Sequence, residues 1–342
     1  MMDGYLERGG NFIDTANGYT DGDSERIVGN WIKSKGAEFR KRIIVATKLF
    51  FTQGPSPNEK GLSRKHILHA VEDSLERLQL KYIDVLFLHC YDPSVKFKEV
   101  FSTLNTLVKQ GKILYIGVSN FTASQLQKAV DLCREKDWER ISVLQTQWHL
   151  LCRETEWELI PLCEKEGKQY FFLTQSLKTH FFSKFPSLCT LINFLCFLGV
   201  AVHVWSPLAG GWLTGRYTRE SKAPEEDSRL EWIARLNFSF SSWDTLANEH
   251  TWKIVDTLFE LSKKHNATPA QVAINWLHGK GRLLKTSVIP ILGASKISQL
   301  EDNLKACDWS LSDEDVQLLD QVSAKPLPYP FNFQFMFRNF TK

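Results

Sequence analysis

The sequence predicts a parallel α/β fold, and within that class a (β/α) barrel, on three observations. Seven short runs are apolar almost throughout, as strands covered on both faces must be. Longer amphipathic stretches separate them, so strand and helix alternate with short connections. An open doubly wound sheet would carry a Gly-rich phosphate loop after its first strand, and Gly-x-Gly-x-x-Gly occurs nowhere in the chain.

The elements follow in order. A first strand over 11–16 contains Asp14 and leads to Tyr19; a second over 42–48 ends at Lys48. The stretch 63–80 reads as a helix, because Ile67, Ala70, Val71, Leu75 and Leu78 recur at helical spacing behind a Ser63 cap. The third strand, 83–89, ends at His89. Helical patterns at 97–110 and 122–134 flank a fourth strand, 113–119, and a fifth strand lies at 143–148. A helix over 155–165, a strand over 200–205, helices over 250–265 and 269–277, and a strand over 287–292 complete the series.

Composition narrows the function classes. The chain has 342 residues, 43% hydrophobic and 24% charged, enough for an ample core in one large domain or two ordinary ones. A formal charge of +3 is too small to imply a nucleic-acid surface, and no basic run with interleaved aromatics suggests one. The seven cysteines form no Cys-x-x-Cys pair and mostly lie in apolar segments, which fits reduced, packed thiols of a cytoplasmic protein. The first residues lack the apolar stretch of a secretory signal. No cluster of His, Cys, Asp or Glu has metal-ligand spacing.

In a barrel of this kind the chemistry sits at the carboxyl ends of the strands. Asp14, Tyr19, Lys48 and His89 fall at or just beyond three successive strand ends. A phenol with a pKa near ~10 is a poor acid at neutral pH unless a neighbouring positive charge favours phenolate, and Lys48 can supply it. Asp14 is the natural counter-ion for a buried ammonium, and His89 can hydrogen-bond and orient a carbonyl oxygen. Each residue alone has a plainer reading: Asp14 as a cap, Tyr19 as a surface phenol, Lys48 as a snorkelling strand end, His89 as a core histidine. Their joint arrangement favours carbonyl reduction.

At this point the segments Asn11-Phe-Ile-Asp-Thr-Ala-Asn-Gly-Tyr19, Lys48, Asp84-Val-Leu-Phe-Leu-His89, Gly117-Val-Ser-Asn120 and Trp205-Ser-Pro-Leu-Ala-Gly-Gly-Trp-Leu-Thr-Gly-Arg216 resemble the signature segments of the aldo-keto reductase superfamily. So does the closing segment from Ile289 to Asn303. The resemblance covers roughly 2–167 and 200–323. It implies a (β/α)8 TIM barrel and reduction of aldehydes or ketones with NADP(H). Tyr19 would act as general acid, with Lys48 and Asp14 tuning it and His89 orienting the substrate.

The same resemblance supplies the cofactor expectations. Ser119, Asn120 and Gln145 offer hydroxyl and carboxamide groups to a nicotinamide amide, or merely cap loops. Trp205 stands where the family stacks an aromatic on the nicotinamide ring, or is a core tryptophan. Ser206, Leu208, Gly210, Gly215 and Arg216 would approach a pyrophosphate. Gly293, Ser295, Lys296, Gln299 and Asn303 would meet the adenosine end, at a helix start of the sort barrels use for phosphate. NADPH is the favoured cofactor, although Lys296 is only a point charge for a 2′-phosphate and secures the preference over NADH less firmly than an Arg would.

Two departures from the family accompany these motifs. The sequence opens within the family's first helix, so the barrel is expected to lack its first strand, exposing two sheet edges. The segment 168–199 interrupts a single barrel domain spanning 1–325; it is dense in Phe, Leu, Ser and Cys, carries no acid and shows no clean period. One expectation is a translated retained intron, since Gly167-Lys168 and Leu198-Gly199 are compatible with splice-site codons; the other is a genuine disordered or interaction loop on the barrel face opposite the catalytic one. A membrane span over 186–205 would consume a barrel strand and is set aside. The loop 217–243 is either a cover over the site or a plain solvated loop, and the aromatic tail 326–342 is expected to pack. The expected partner is a small carbonyl compound, with no nucleic acid or membrane and an open oligomeric state. The alternatives are a cofactor-binding regulatory subunit like the potassium-channel β subunits, or an inactive truncated or mis-spliced isoform.

Overall fold

A computed structural model describes residues 1–174, 200–223, 242–284 and 286–337. Its strands are β1 (Phe12–Asp14), β2 (Ile44–Leu49), β3 (Ile83–Leu88), β4 (Ile113–Ser119), β5 (Ile141–Gln147), β6 (Ala201–Trp205) and β7 (Val288–Pro290). They form one sheet in sequential order. The pairings from β1 through β5 are all parallel. Parallel neighbours in sequence order need a crossover after each strand, and the order never reverses as it does in a doubly wound sheet. This is the topology of a (β/α)8 barrel with seven strands among the described residues.

The chain divides into two compact units, each described by itself. The first holds residues 2–146 and 162–203, the second 147–161 and 204–342 together with Met1. In the first unit, side chains alternate along each strand. Ala46, Val85, Phe87 and Val143 form a buried cluster edged by Phe12, Ile44, Tyr115 and Ala201. Two residues further along their strands, Phe12 gives way to Asp14, Ala46 to Lys48 and Phe87 to His89. The face that is apolar along the strands therefore turns polar at their carboxyl ends. Gly117 leaves the room Phe87 needs, since a Cβ there would lie 2.4 Å from its ring.

The helices of this unit are α1 (Met2–Glu7), α2 (Asp23–Ser34), α3 (Arg64–Leu78), α4 (Phe97–Lys109), α5 (Ala123–Glu135) and α6 (Leu159–Thr174), the last beginning just before the unit boundary. Ser63 caps α3 by accepting from the His66 N–H, and Thr122 with Gln125 forms a capping box on α5.

In the second unit the helices are α7 (Trp243–Leu246), α8 (Glu249–His265), α9 (Pro269–Leu284), α10 (Ile297–Leu304), α11 (Asp313–Val322) and α12 (Phe331–Phe337). Trp212 packs among Tyr217, Trp243 and Trp252. The Ile291 N–H donates to the Val204 carbonyl at 2.8 Å, which joins the ends of β6 and β7.

All seven expected strands are present, with β5 starting at Ile141 rather than 143. Four helices among the described residues were not anticipated: α2, α7, α11 and α12. The expected helix at 155–165 starts at Leu159 and runs through Thr174, so the first part of the segment 168–199 is helical despite its poor period. Residues 175–199, and 224–241 of the loop after β6, lie outside the described residues. No helix among the described residues is long and apolar enough to cross a membrane.

Candidate active site

Lys48 organises the site. Its ammonium is fully buried on β2 and donates to Asp14 Oδ2 at 2.5 Å, to the Thr15 carbonyl at 2.9 Å and to the Tyr19 hydroxyl at 3.2 Å. Burial disfavours its charge, but Asp14 and Tyr19 outweigh that cost and hold its pKa above the ordinary lysine value. The lysine thus stays charged throughout the physiological range. The backbone makes this geometry: Asp14 ends β1 in register with Ala46, and the Asn17 N–H donates to the Lys48 carbonyl at 3.0 Å, tying the loop that carries Tyr19 to β2.

Tyr19 itself remains 39% exposed, so its hydroxyl is both held by Lys48 and open to a ligand. The His89 ring stands edge-on to it, centroids 5.8 Å apart. Burial, reinforced by the Lys48 charge, pushes the His89 pKa down to about 4, so the imidazole is neutral at pH 7. Its Nδ1 is buried without a hydrogen-bond partner among the described residues, which makes Nε2 the nitrogen available to a substrate oxygen.

The carboxamides expected near a nicotinamide are part of the same construction. Gln145 Nε2 donates to Asp14 Oδ1 at 2.9 Å, and Asn120 Nδ2 donates to the His89 carbonyl at 3.1 Å. Ser119 and Gln145 are buried at the ends of β4 and β5, and Asn120 adopts the left-handed conformation that carries the chain off β4. The donor set fits a nicotinamide amide, because carboxamide oxygens accept and the Ser119 hydroxyl both donates and accepts.

The remaining expected cofactor residues lie in the second unit. Trp205 ends β6, and Ser206, Gly210 and Gly211 all have positive φ, which makes a tight turn of backbone amides. Gly215 also has positive φ, and a Cβ there would lie 2.9 Å from Pro269 and 3.1 Å from Phe259. Arg216 is exposed, with its guanidinium 5.5 Å from the Tyr217 ring centroid. Beyond β7, Gly293, Ser295 and Lys296 are exposed and Asn303 is buried. Gln299 Oε1 accepts from the Ser295 N–H at 3.0 Å and the Lys296 N–H at 3.2 Å, so this side chain caps α10.

Sequence reasoning missed one residue at the site. Phe51 is 49% exposed, yet its ring meets His89 edge-on at 4.8 Å, and its Cβ lies 3.5 Å from where a side chain on Gly18 would begin. The signal was the apolar run Leu49-Phe50-Phe51 continuing past the strand end at Lys48. No group of His, Cys, Asp and Glu among the described residues could hold a metal ion.

A sequence model of the Aldo/keto reductase family matches residues 1–185 and 189–324. An aryl-alcohol dehydrogenase (NADP+) of Phanerodontia chrysosporium is 30% identical over 97% of this chain and 76% of its own length. Norsolorinic acid reductase of Aspergillus flavus is 27% identical over 98% of this chain and 74% of its own. A probable voltage-gated potassium channel subunit beta of Arabidopsis thaliana is 31% identical over 88% and 79%, respectively.

Proposed function

Because this chain belongs to the aldo/keto reductase family, we propose that it is an NADPH-dependent oxidoreductase that reduces aldehydes or ketones, aromatic ones among them, to alcohols. One observation carries the reading: Lys48 binds Asp14 and Tyr19 at once while the Tyr19 hydroxyl stays accessible beside a neutral His89.

A nicotinamide cofactor held by Ser119, Asn120 and Gln145 would supply the hydride for the carbonyl carbon. Tyr19 donates its hydroxyl proton to the carbonyl oxygen, and the Lys48 ammonium stabilises the phenolate left behind. Asp14 neutralises Lys48 and fixes its position, and Gln145 holds Asp14 by its second oxygen. His89 offers Nε2–H to the same carbonyl oxygen, which orients the substrate between the two rings. Phe51 provides a flat apolar wall next to His89 and supports the preference for an aromatic substrate. Lys296 at the start of α10 is the available charge for a 2′-phosphate, and the free thiols among the described residues support a cytoplasmic setting.

The similarity to a potassium-channel β subunit supports a second reading, a regulatory subunit that binds cofactor without needing rapid turnover. Purified protein mixed with NADPH and an aromatic aldehyde separates the two. Loss of NADPH absorbance that depends on the aldehyde is the expected result. Tight NADPH binding with no aldehyde-dependent oxidation supports the regulatory reading instead.

A further inference from the structure

We propose that Glu25 is a positioning residue for the reaction, acting through Thr47 and Arg77 to hold the end of β2 that presents Lys48. The proposal rests on the assignment of Lys48 and Tyr19 made above. Alternation along β2 turns Ala46 and Lys48 to one face and Thr47 to the opposite, helix-facing side. Thr47 is fully buried there, and its hydroxyl donates to Glu25 Oε1 at 2.5 Å. Glu25, itself fully buried in the first turn of α2, accepts from Arg77 Nε at 2.6 Å through its other oxygen.

A second tie runs beside the first. Thr15, the residue after Asp14, has its hydroxyl 2.7 Å from that of Ser24. The direct neighbours of Asp14 and Lys48 in the chain are thus fastened from behind by two consecutive residues of one helix. That helix is firmly seated: a Cβ on Gly29 would lie 2.5 Å from the Leu78 carbonyl oxygen of α3, and one on Gly22 would lie 2.6 Å from Arg77 Cδ.

Packing alone does not call for this chain of polar groups. A valine at 47 would fill the helix-facing side of the sheet without a buried carboxylate that needs a cation. A hydrogen-bonded ion pair adds direction, because Glu25 can satisfy Thr47 and Arg77 together in only one placement of the strand end. Lys48 needs such placement, since it must reach Asp14, the Thr15 carbonyl and Tyr19 simultaneously, and displacement of a reacting group by ~1 Å costs on the order of 100-fold in rate.

Thr47→Val tests the proposal without removing the buried charge, and Thr47→Ser restores the hydroxyl. Expected for Thr47→Val are a roughly tenfold lower kcat, an NADPH Kd within about twofold of wild type, and amide hydrogen exchange about tenfold faster at Asn17 but unchanged at Leu88 of β3. Thr47→Ser should recover both properties, and Glu25→Gln should move them in the same direction as Thr47→Val. Unchanged kcat in Thr47→Val, unchanged Asn17 exchange, or a uniform rise in exchange with a lower Tm would each overturn the positioning role. If wild-type protein does not turn over but Asn17 exchange responds as expected, the reductase reading falls while the fastening of the strand end stands.

Discussion

Two buried ionic clusters, one in each unit, use the same chemical groups to opposite ends. In the second unit Arg153 and Lys280 face Glu156 and Asp320. The Trp148 and Trp276 indole N–H groups donate to those two carboxylates at 2.8 and 3.0 Å, and Arg153 also donates to Ser323 Oγ at 2.5 Å. Two cations balance two anions, and the donors are directed into acceptors of the same cluster. In the first unit Lys48 has one carboxylate, and its other donors go to the Thr15 carbonyl and to a half-exposed phenol, beside a histidine whose Nδ1 has no hydrogen-bond partner among the described residues. The saturated cluster joins the residues after β5 to α9 and α11; the unsaturated one leaves its hydrogen-bonding capacity for a substrate. Incomplete satisfaction within an otherwise fixed frame therefore distinguishes the cluster proposed as the active site.

Substitutions on either side should separate these roles. The largest effect is expected for Lys48→Met, which removes the charge that stabilises a Tyr19 phenolate: kcat should fall by about 10³-fold, read from initial rates of NADPH oxidation. Loss of less than about tenfold would show that the ammonium is not needed for proton transfer. Arg153→Ala should do the reverse, lowering stability in urea by about 3 kcal/mol while kcat per folded molecule stays near wild type. A wild-type midpoint in that variant would show that the saturated cluster contributes little.

A third effect is a dependence of stability on pH. Burial, with a smaller effect of Lys48 in the same direction and of Asp14 against it, lowers the His203 pKa from 6.5 to about 4. Burial similarly lowers His149 to about 3. With the folded value below the unfolded one, the unfolded state binds more protons as pH drops through 6.5. These contributions are therefore full above 6.5 and are lost as pH falls below it, the His203 share levelling off near 4 and the His149 share near 3. His203→Leu should reduce that decline by about 3 kcal/mol, measured by urea unfolding at several pH values. An acid limb as steep as that of wild type would contradict a buried neutral His203. The smallest effect is expected at the rim of the site: Phe51→Ala should raise KM about fivefold for an aromatic aldehyde and leave a short aliphatic one unchanged. An equal rise for both would remove Phe51 as a selector of aromatic substrates.

The contrast between the clusters also explains what could be read from the sequence. The strands were legible because burial on both faces leaves continuous apolar runs, and Asp14, Lys48 and His89 were legible as a group because polar residues closing such runs stand at one end of the sheet. The ionic cluster of the second unit was not, since Arg153 and Glu156 meet Lys280 and Asp320 across more than a hundred residues, and no local pattern pairs them. Helix α2 was missed because Asp23-Ser-Glu25 reads as polar loop; only the fold places Glu25 opposite Thr47. Gln145 and Asn120 were recognised as carboxamides at strand ends, but their bonds to Asp14 and His89 depend on three-dimensional register. The cap that Gln299 makes on α10 and the room that Gly215 leaves for Pro269 were likewise not legible, because both depend on neighbours that only the fold brings close.

The most direct test of the central claim is Tyr19→Phe, with NADPH affinity and aldehyde-dependent turnover measured on the same preparation. The ring stays in place and only the proton donor is lost, so the expected result is NADPH binding within a few-fold of wild type and no measurable reduction. Turnover retained within about tenfold of wild type would contradict the assignment of Tyr19 as the acid, and with it the reading of this site.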